Sequence, residues 1–341
     1  MRLLPSRRAS RSAEPLACEP EPTRRTSERI VTVAPDVSGF LTKQQIGTGA
    51  GSKIYEAIEE KTGRTVAIKH VVRNGPDDDR FLAQAETEYN ISRSFDHPAL
   101  RASYALIRVR KRLQVRELAL VMEHVDGLNL EKARPNRLRT FLILFRKVAQ
   151  GLGAMHEAGF VHTDIKPTNI MLARGGVVKI IDFGQSCPMH HRKDRIQGTP
   201  DYIAPEQVKR RALDRRTDVF NLGATMYWVL TSTKYPTAIQ GLDDRGGIGL
   251  VKSEKPIAPV ELNDKIPVSL SQLIMECCRE DPAKRPADMK QVITRLAVVQ
   301  KLWQKYRESV REKRIALPSE SAEASTTMPW ESEMFAAEED A

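Results

Sequence analysis

The feature that most limits how this chain can fold is a lysine set inside its most β-prone run. Val66-Ala67-Ile68-Lys69-His70-Val71-Val72 is rich in β-branched residues and predicts a strand. A buried ammonium is costly unless a carboxylate pairs with it. Lys69 must therefore either snorkel from a sheet edge or meet an acid delivered by another element. Asp77-Asp78-Asp79 offers an entry to a helix over residues 80–95, and that helix carries Glu88. With the other strand patterns before and after it, this first part reads as a sheet with one helix.

The remaining periodicity splits the chain in two. Phe40 to Ala57 reads as strand, glycine turn, strand. Tyr104–Ile107 and Leu118–Met122 predict two more strands, joined through the basic turn at Arg110-Lys111-Arg112. From about Asn136 the repeat becomes helical, with Phe141, Leu144, Phe145, Val148, Leu152 and Met155 on one face. Val177–Ile181 is a short strand, and Thr217–Leu230 and Val268–Arg279 are further helices. A last amphipathic helix is expected over 289–314, with Leu296, Val299, Trp303, Tyr306 and Val310 on one side.

Composition narrows the class. At 341 residues, 40% hydrophobic and 29% charged, the chain is long enough for one large domain or two lobes with well-filled cores, and reads as soluble and globular. No apolar run approaches bilayer-spanning length, since Phe141–Phe145 is far too short, and the start lacks an apolar signal core. A cytoplasmic location without a membrane span is the expectation. Cys18, Cys187, Cys277 and Cys278 have no metal-pair spacing and read as free thiols of a reducing compartment. The net charge of +10 is uneven. Residues 1–35 hold seven arginines against four glutamates and read as a disordered basic extension. Residues 318–341 hold seven acids and no base and read as a disordered acidic tail. Nucleic acid is an unlikely partner, because no basic motif is interleaved with aromatics.

Two groups of residues carry chemistry. Ile46-Gly47-Thr48-Gly49-Ala50-Gly51-Ser52-Lys53-Ile54 lies between two strands, where glycines let backbone N–H groups approach phosphate oxygens. A dinucleotide fold would place a helix after it; the strand-like Ile54–Ile58 favours a flap over a nucleotide. Farther on, His162-Thr163-Asp164-Ile165-Lys166-Pro167-Thr168-Asn169 precedes Asp182-Phe183-Gly184. Asp164 can accept a hydroxyl proton, Lys166 can neutralise phosphate, and Asn169 and Asp182 offer hard oxygen ligands to Mg²⁺.

Taken in order, these segments resemble the eukaryotic-type protein kinase family over residues 40–300, including its soluble bacterial serine/threonine members. The set is the glycine loop, Val66–Lys69, Glu88, His162–Asn169, Asp182–Gly184 and Ala204-Pro205-Glu206. The resemblance implies an α+β, two-lobed fold, with an antiparallel N-lobe sheet and one main helix over about 36–123. A mostly helical C-lobe would cover 126–300, with a helical extension at 301–317. It implies ATP with Mg²⁺ (Mn²⁺ as a substitute) and transfer of the γ-phosphoryl to Ser/Thr hydroxyls of protein substrates. Lys69, oriented by Glu88, would hold the α and β phosphates, and Glu88 is preferred to Glu86 because it lies nine residues before His97. ATP would be enclosed by Ile46–Ile54, Ala67, Met122, Glu123, Val125 and Asn129, with the metal on Asn169 and Asp182. Thr199, in the Gly198–Glu206 platform, would bridge Asp164 and Lys166. Asp218 would steady the catalytic loop, and Arg285 would pair with Glu206. The alternative is a nucleotide-binding scaffold without transferase activity.

Two positions depart from the family pattern. Ser52 replaces the third glycine of the loop. Thr163 replaces an arginine that in many relatives binds a phosphate on the activation segment, and threonine cannot make that bidentate contact. Activity independent of phosphorylation in that segment is the resulting expectation. Docking of the acidic tail, which contains Trp330 and Phe335, on the kinase body or on a partner is a further one.

Overall fold

The computed structural model describes residues 35–49, 51–111, 114–237, 239–242, 248–250 and 255–315. The expected basic extension and acidic tail, with its docking, lie outside these residues apart from Pro35. Ala50 and Cys18 lie outside them as well.

The first lobe is a five-stranded antiparallel sheet with one helix. Its strands are β1 (Phe40–Gly49), β2 (Ser52–Glu59), β3 (Thr65–Val72), β4 (Ser103–Lys111) and β5 (Gln114–Glu123), ordered β1-β2-β3-β5-β4. Helix α1 (Asp79–Ser92) follows β3 and ends earlier than the periodicity predicts. Strand β3 is central rather than at an edge, so Lys69 cannot snorkel sideways. Its register sets Ile54 opposite Lys69 and Ala67 opposite Met122. One face of the sheet buries Ala57, Val66, Ile68, Ala119 and Val121. The face toward α1 buries Val71 and Leu118 against Leu82 and Ala85.

The second lobe grows around α2 (Leu138–Glu157), reached through β6 (Gly127–Asn129). Phe141, Leu144, Phe145, Val148, Leu152 and Met155 are all buried, as their spacing requires. After α2 come β7 (Phe160–Val161), β8 (Ile170–Ala173), β9 (Val178–Ile180) and β10 (Cys187–Pro188). Strands β6, β8 and β9 form a small sheet, and β10 pairs with β7. The short α3 (Pro205–Val208) leads to α4 (Arg215–Thr231). Asp214 caps α4 by accepting from the Arg216 amide at 2.7 Å. Helix α4 is buried on nearly every face, which is why its sequence shows little amphipathic bias. Strands β11 (Ile239–Leu242) and β12 (Ile248–Leu250), then α5 (Pro259–Leu262), α6 (Val268–Cys277) and α7 (Met289–Ile315), complete the lobe. Gly223 permits the α4–α6 crossing, because a Cβ there would lie 2.6 Å from that of Cys277.

One expectation needs correction. Helix α7 runs without a break from Met289 to Ile315, but its apolar side is covered only in part. Leu296 and Val299 are buried against the lobe, whereas Tyr306 and Val310 are exposed, since the helix outruns the surface it packs on. Cys187, Cys277 and Cys278 are free and buried. Burial pushes the Cys187 thiol up to about 11 and that of Cys277 up to about 12, so neither is a thiolate at neutral pH.

Candidate active site

A cleft of about 890 Å³ opens between the sheet and the second lobe. Ile46, Gly47, Thr48, Gly49, Ser52, Ile54, Ala67, Met122, Glu123, Val125 and Asn129 line it, as do Lys69, Asp164, Lys166, Asn169 and Asp182. Gly51 and Lys53 do not line it. Gly51 turns at φ +68°, and a Cβ there would lie 2.3 Å from the ring of Phe81 on α1. The loop tip is thus folded onto the helix at that point, and only glycine fits. Phe81 and Met171, a residue of β8, also line the cleft, and no sequence pattern singled them out.

At the back of the cleft Lys69 meets its acid. Lys69 Nζ lies 2.7 Å from Glu88 Oε2 and 3.3 Å from Asp182 Oδ1. Glu86 instead faces outward and pairs with Arg108 at 2.9 Å. Glu88 is shared, because its other oxygen takes the buried guanidinium of Arg101. That guanidinium also sits 5.8 Å from the Phe183 ring centroid. Arg101 was not marked by any motif, yet it ties α1 to the Asp182–Gly184 turn. Burial would push the Lys69 ammonium down, but Glu88 and Asp182 hold it above its ordinary value. Burial would push Asp182 up, but Lys69, with Arg101 and Lys166, holds it at about 2. Both groups are therefore charged at neutral pH.

The second cluster lies on the loop before β8. Asp164 Oδ1 accepts from the Thr199 amide at 3.0 Å and from its hydroxyl at 2.8 Å. Lys166 Nζ reaches Asp164 Oδ2 at 2.9 Å and Thr199 Oγ1 at 2.7 Å. Asn169 Nδ2 donates to the Asp164 carbonyl at 2.9 Å, which leaves its amide oxygen to act as a ligand. Asp164 is only 6% exposed, so its charge is poorly hydrated and directed into the cleft.

Buried polar contacts brace this loop from below. Asp218, fully buried, accepts from the His162 amide at 2.8 Å, the Thr163 amide at 2.7 Å and the His156 ring at 2.8 Å. Arg285 grips Glu206 through two bonds of 2.7 and 2.9 Å, and Thr217 donates to the same carboxylate at 2.9 Å. Gln207, another residue without a motif signal, donates to the Thr163 carbonyl at 2.8 Å and the Gln197 carbonyl at 3.1 Å. The Phe183 ring is wholly buried against Phe95 and His162, with centroids 5.2 and 5.6 Å away. Burial depresses the His162 pKa, so the ring is neutral, accepting at Nδ1 from the Asp164 amide at 3.3 Å. An unfolded histidine takes up a proton near pH 6.5, so the stability that neutral His162 contributes is complete above about that pH and is lost as pH falls below it. Thermal melting across pH 7.5 to 5.5 checks this: the wild type should lose stability on acidification, and His162→Gln should show a shallower slope from a lower starting point.

The donor set fits Mg²⁺. Among the described residues no cluster of three His, Cys, Asp or Glu side chains could hold a metal alone. Asn169 and Asp182 offer two protein oxygens, and Mg²⁺ characteristically takes one or two carboxylates and completes its shell with water and phosphate.

With this geometry in place, the chain belongs to the protein kinase family: the protein kinase domain matches residues 40–296. Serine/threonine-protein kinase A of Synechocystis is 30% identical over 75% of this chain and 52% of its own length. Serine/threonine-protein kinase PknA of Mycobacterium tuberculosis is 30% identical over 72% of this chain and 58% of its own. A probable serine/threonine-protein kinase of Clostridium perfringens is 28% identical over 76% and 38%. The chain thus spans from about two fifths to under three fifths of these relatives' lengths. No described helix is long and apolar enough to cross a membrane.

Proposed function

We propose that the protein is an ATP-dependent serine/threonine protein kinase. The observation that carries this reading is the pairing of two charged clusters across one cleft. Lys69, Glu88 and Asp182 stand at its back, and Asp164, Lys166 and Thr199 stand at its mouth. Phosphoryl transfer requires positioning and charge neutralisation more than covalent help from the protein. The apolar walls at Ile54, Ala67, Met122 and Met171 suit a flat base. Lys69 is held in place by Glu88 to neutralise the first phosphates. Asn169 and Asp182 would hold Mg²⁺, which when bound adds positive charge beside the phosphates. Lys166 stands beside Asp164, where it can neutralise the group in transfer. Asp164 orients the acceptor hydroxyl and takes its proton, while Thr199 fixes one carboxylate oxygen. The relatives named serine/threonine kinases support this acceptor class.

The experiment is transfer of label from γ-labelled ATP to a protein acceptor, followed by recovery of phosphoserine and phosphothreonine. Nucleotide binding without transfer would instead favour the scaffold reading.

This activity is also proposed to need no phosphate on the segment between Gly184 and Thr199. The hydroxyl side chain within that stretch is Ser186. It is 4% exposed and donates inward to the His162 carbonyl at 3.4 Å. Ser186→Ala, and separately full phosphatase treatment, should each leave most of the activity; loss of nearly all of it in either case would refute the idea.

A further inference from the structure

Thr163 removes a cation from the loop beneath the activation segment, and the segment brings one of its own. Thr163 is buried, adopts φ +64°, and is fixed by its amide to Asp218 Oδ1 at 2.7 Å. Its hydroxyl donates to the Gln185 carbonyl at 2.8 Å, just past the Asp182–Gly184 turn. Lys193, thirty residues away in sequence, extends from the middle of the segment and donates to the Thr163 hydroxyl at 2.8 Å. The same ammonium donates to the Gln185 carbonyl. Three points therefore meet on one nitrogen: the loop that carries Asp164, the start of the segment and its centre.

Lysine suits this place because its ammonium offers three donors without an acceptor. The two recorded acceptors are neutral, and the carboxylates of Asp164 and Asp218 act on it from a distance. Arg195 is the cation that opposes it. Burial lowers the Lys193 pKa, and Asp164 and Asp218 resist that shift. An arginine at position 163 would bring a second cation against Lys193, so the two positions exclude each other as they stand.

We propose that Lys193 is a positioning residue, a cation built into the activation segment that holds it against Thr163 and so keeps Asp164 in working geometry without a phosphate. The proposal rests on the phosphotransfer reading of the site. It makes the working arrangement a consequence of folding, and makes the ammonium of Lys193 the element whose loss releases it.

The test uses the full chain, with casein as acceptor and kcat, KM for ATP and melting temperature as readouts. Displacing a catalytic group by about 1 Å can cost about 100-fold in rate, so Lys193→Met should lower kcat by roughly 10- to 100-fold. KM for ATP and melting temperature should change little, because Lys193 itself does not line the cleft. Lys193→Arg should keep most of the rate. Thr163→Arg and Lys193→Glu should each be impaired, and the double variant should regain part of the loss, because the two new side chains can then form an ion pair across the same gap. Wild-type kcat in Lys193→Met, or a double variant no better than the worse single one, overturns the proposal. If the wild type transfers no phosphate at all, the phosphotransfer reading fails separately. Amide hydrogen exchange then decides the latch: faster exchange over residues 185–198 in Lys193→Met supports it, and unchanged exchange overturns it.

Discussion

Asp164→Asn should abolish nearly all phosphoryl transfer while leaving ATP binding close to wild type. The substitution keeps shape and one acceptor oxygen, so Thr199 can still donate to position 164 through its amide and hydroxyl. What disappears is the negative charge that counters Lys166 at 2.9 Å and the ability to take a proton. Removal of a positioned general base lowers rates by about 10²- to 10⁴-fold. The expected kcat is therefore lower by at least about 100-fold, with a modest change in KM for ATP, since Asp164 stands across the cleft from Lys69 and the apolar walls. Steady-state kinetics and calorimetric titration with ATP check the two halves independently. A residual kcat within tenfold of wild type would remove Asp164 from the proposed role.

The largest effect on stability should come from Arg285→Leu. Arg285 and Glu206 are 5% and 6% exposed and joined by two charge-assisted bonds. The guanidinium also donates to the carbonyls of Arg279 at 2.7 Å and Arg216 at 2.8 Å. Its loss leaves a buried carboxylate whose remaining side-chain donor is Thr217. Breaking a buried pair from one side costs about 3–5 kcal/mol. In a domain of this size that lowers the melting temperature by on the order of 10 °C. Glu206→Gln in the same chain should recover part of the loss, because the uncompensated charge is then gone. A drop of under about 2 °C for the single variant, or no recovery in the double, would show that the pair is not what holds this corner together.

Much of the site was legible because its groups sit in short, ordered motifs. Lys69 required an acid, and resemblance to the family, through the spacing to His97, favoured Glu88 over Glu86; the two acids face opposite ways. Thr199 could be placed against Asp164 only through resemblance, as 35 residues separate them. Along the glycine loop, alternation on the strand turns Lys53 away from the cleft, and Gly51 closes on Phe81, so neither lines it. The last helix is amphipathic along its whole pattern, and that pattern outlasts the surface available to cover it.

Residue pattern is enough for the division into a strand-rich and a helix-rich half, the buried lysine that needs a partner, and the order of the charged motifs. These follow from periodicity and burial cost over a few residues at a time. Long-range packing is what makes Arg101 share Glu88, Gln207 steady the loop through Thr163, and Lys193 reach the same threonine from the segment. Those contacts join residues 13, 44 and 30 positions apart. Nothing in local spacing encodes them, because they depend on where folding brings two distant backbones. The absence of an arginine at position 163 could be read in one dimension. The lysine that occupies its place could be seen only in three.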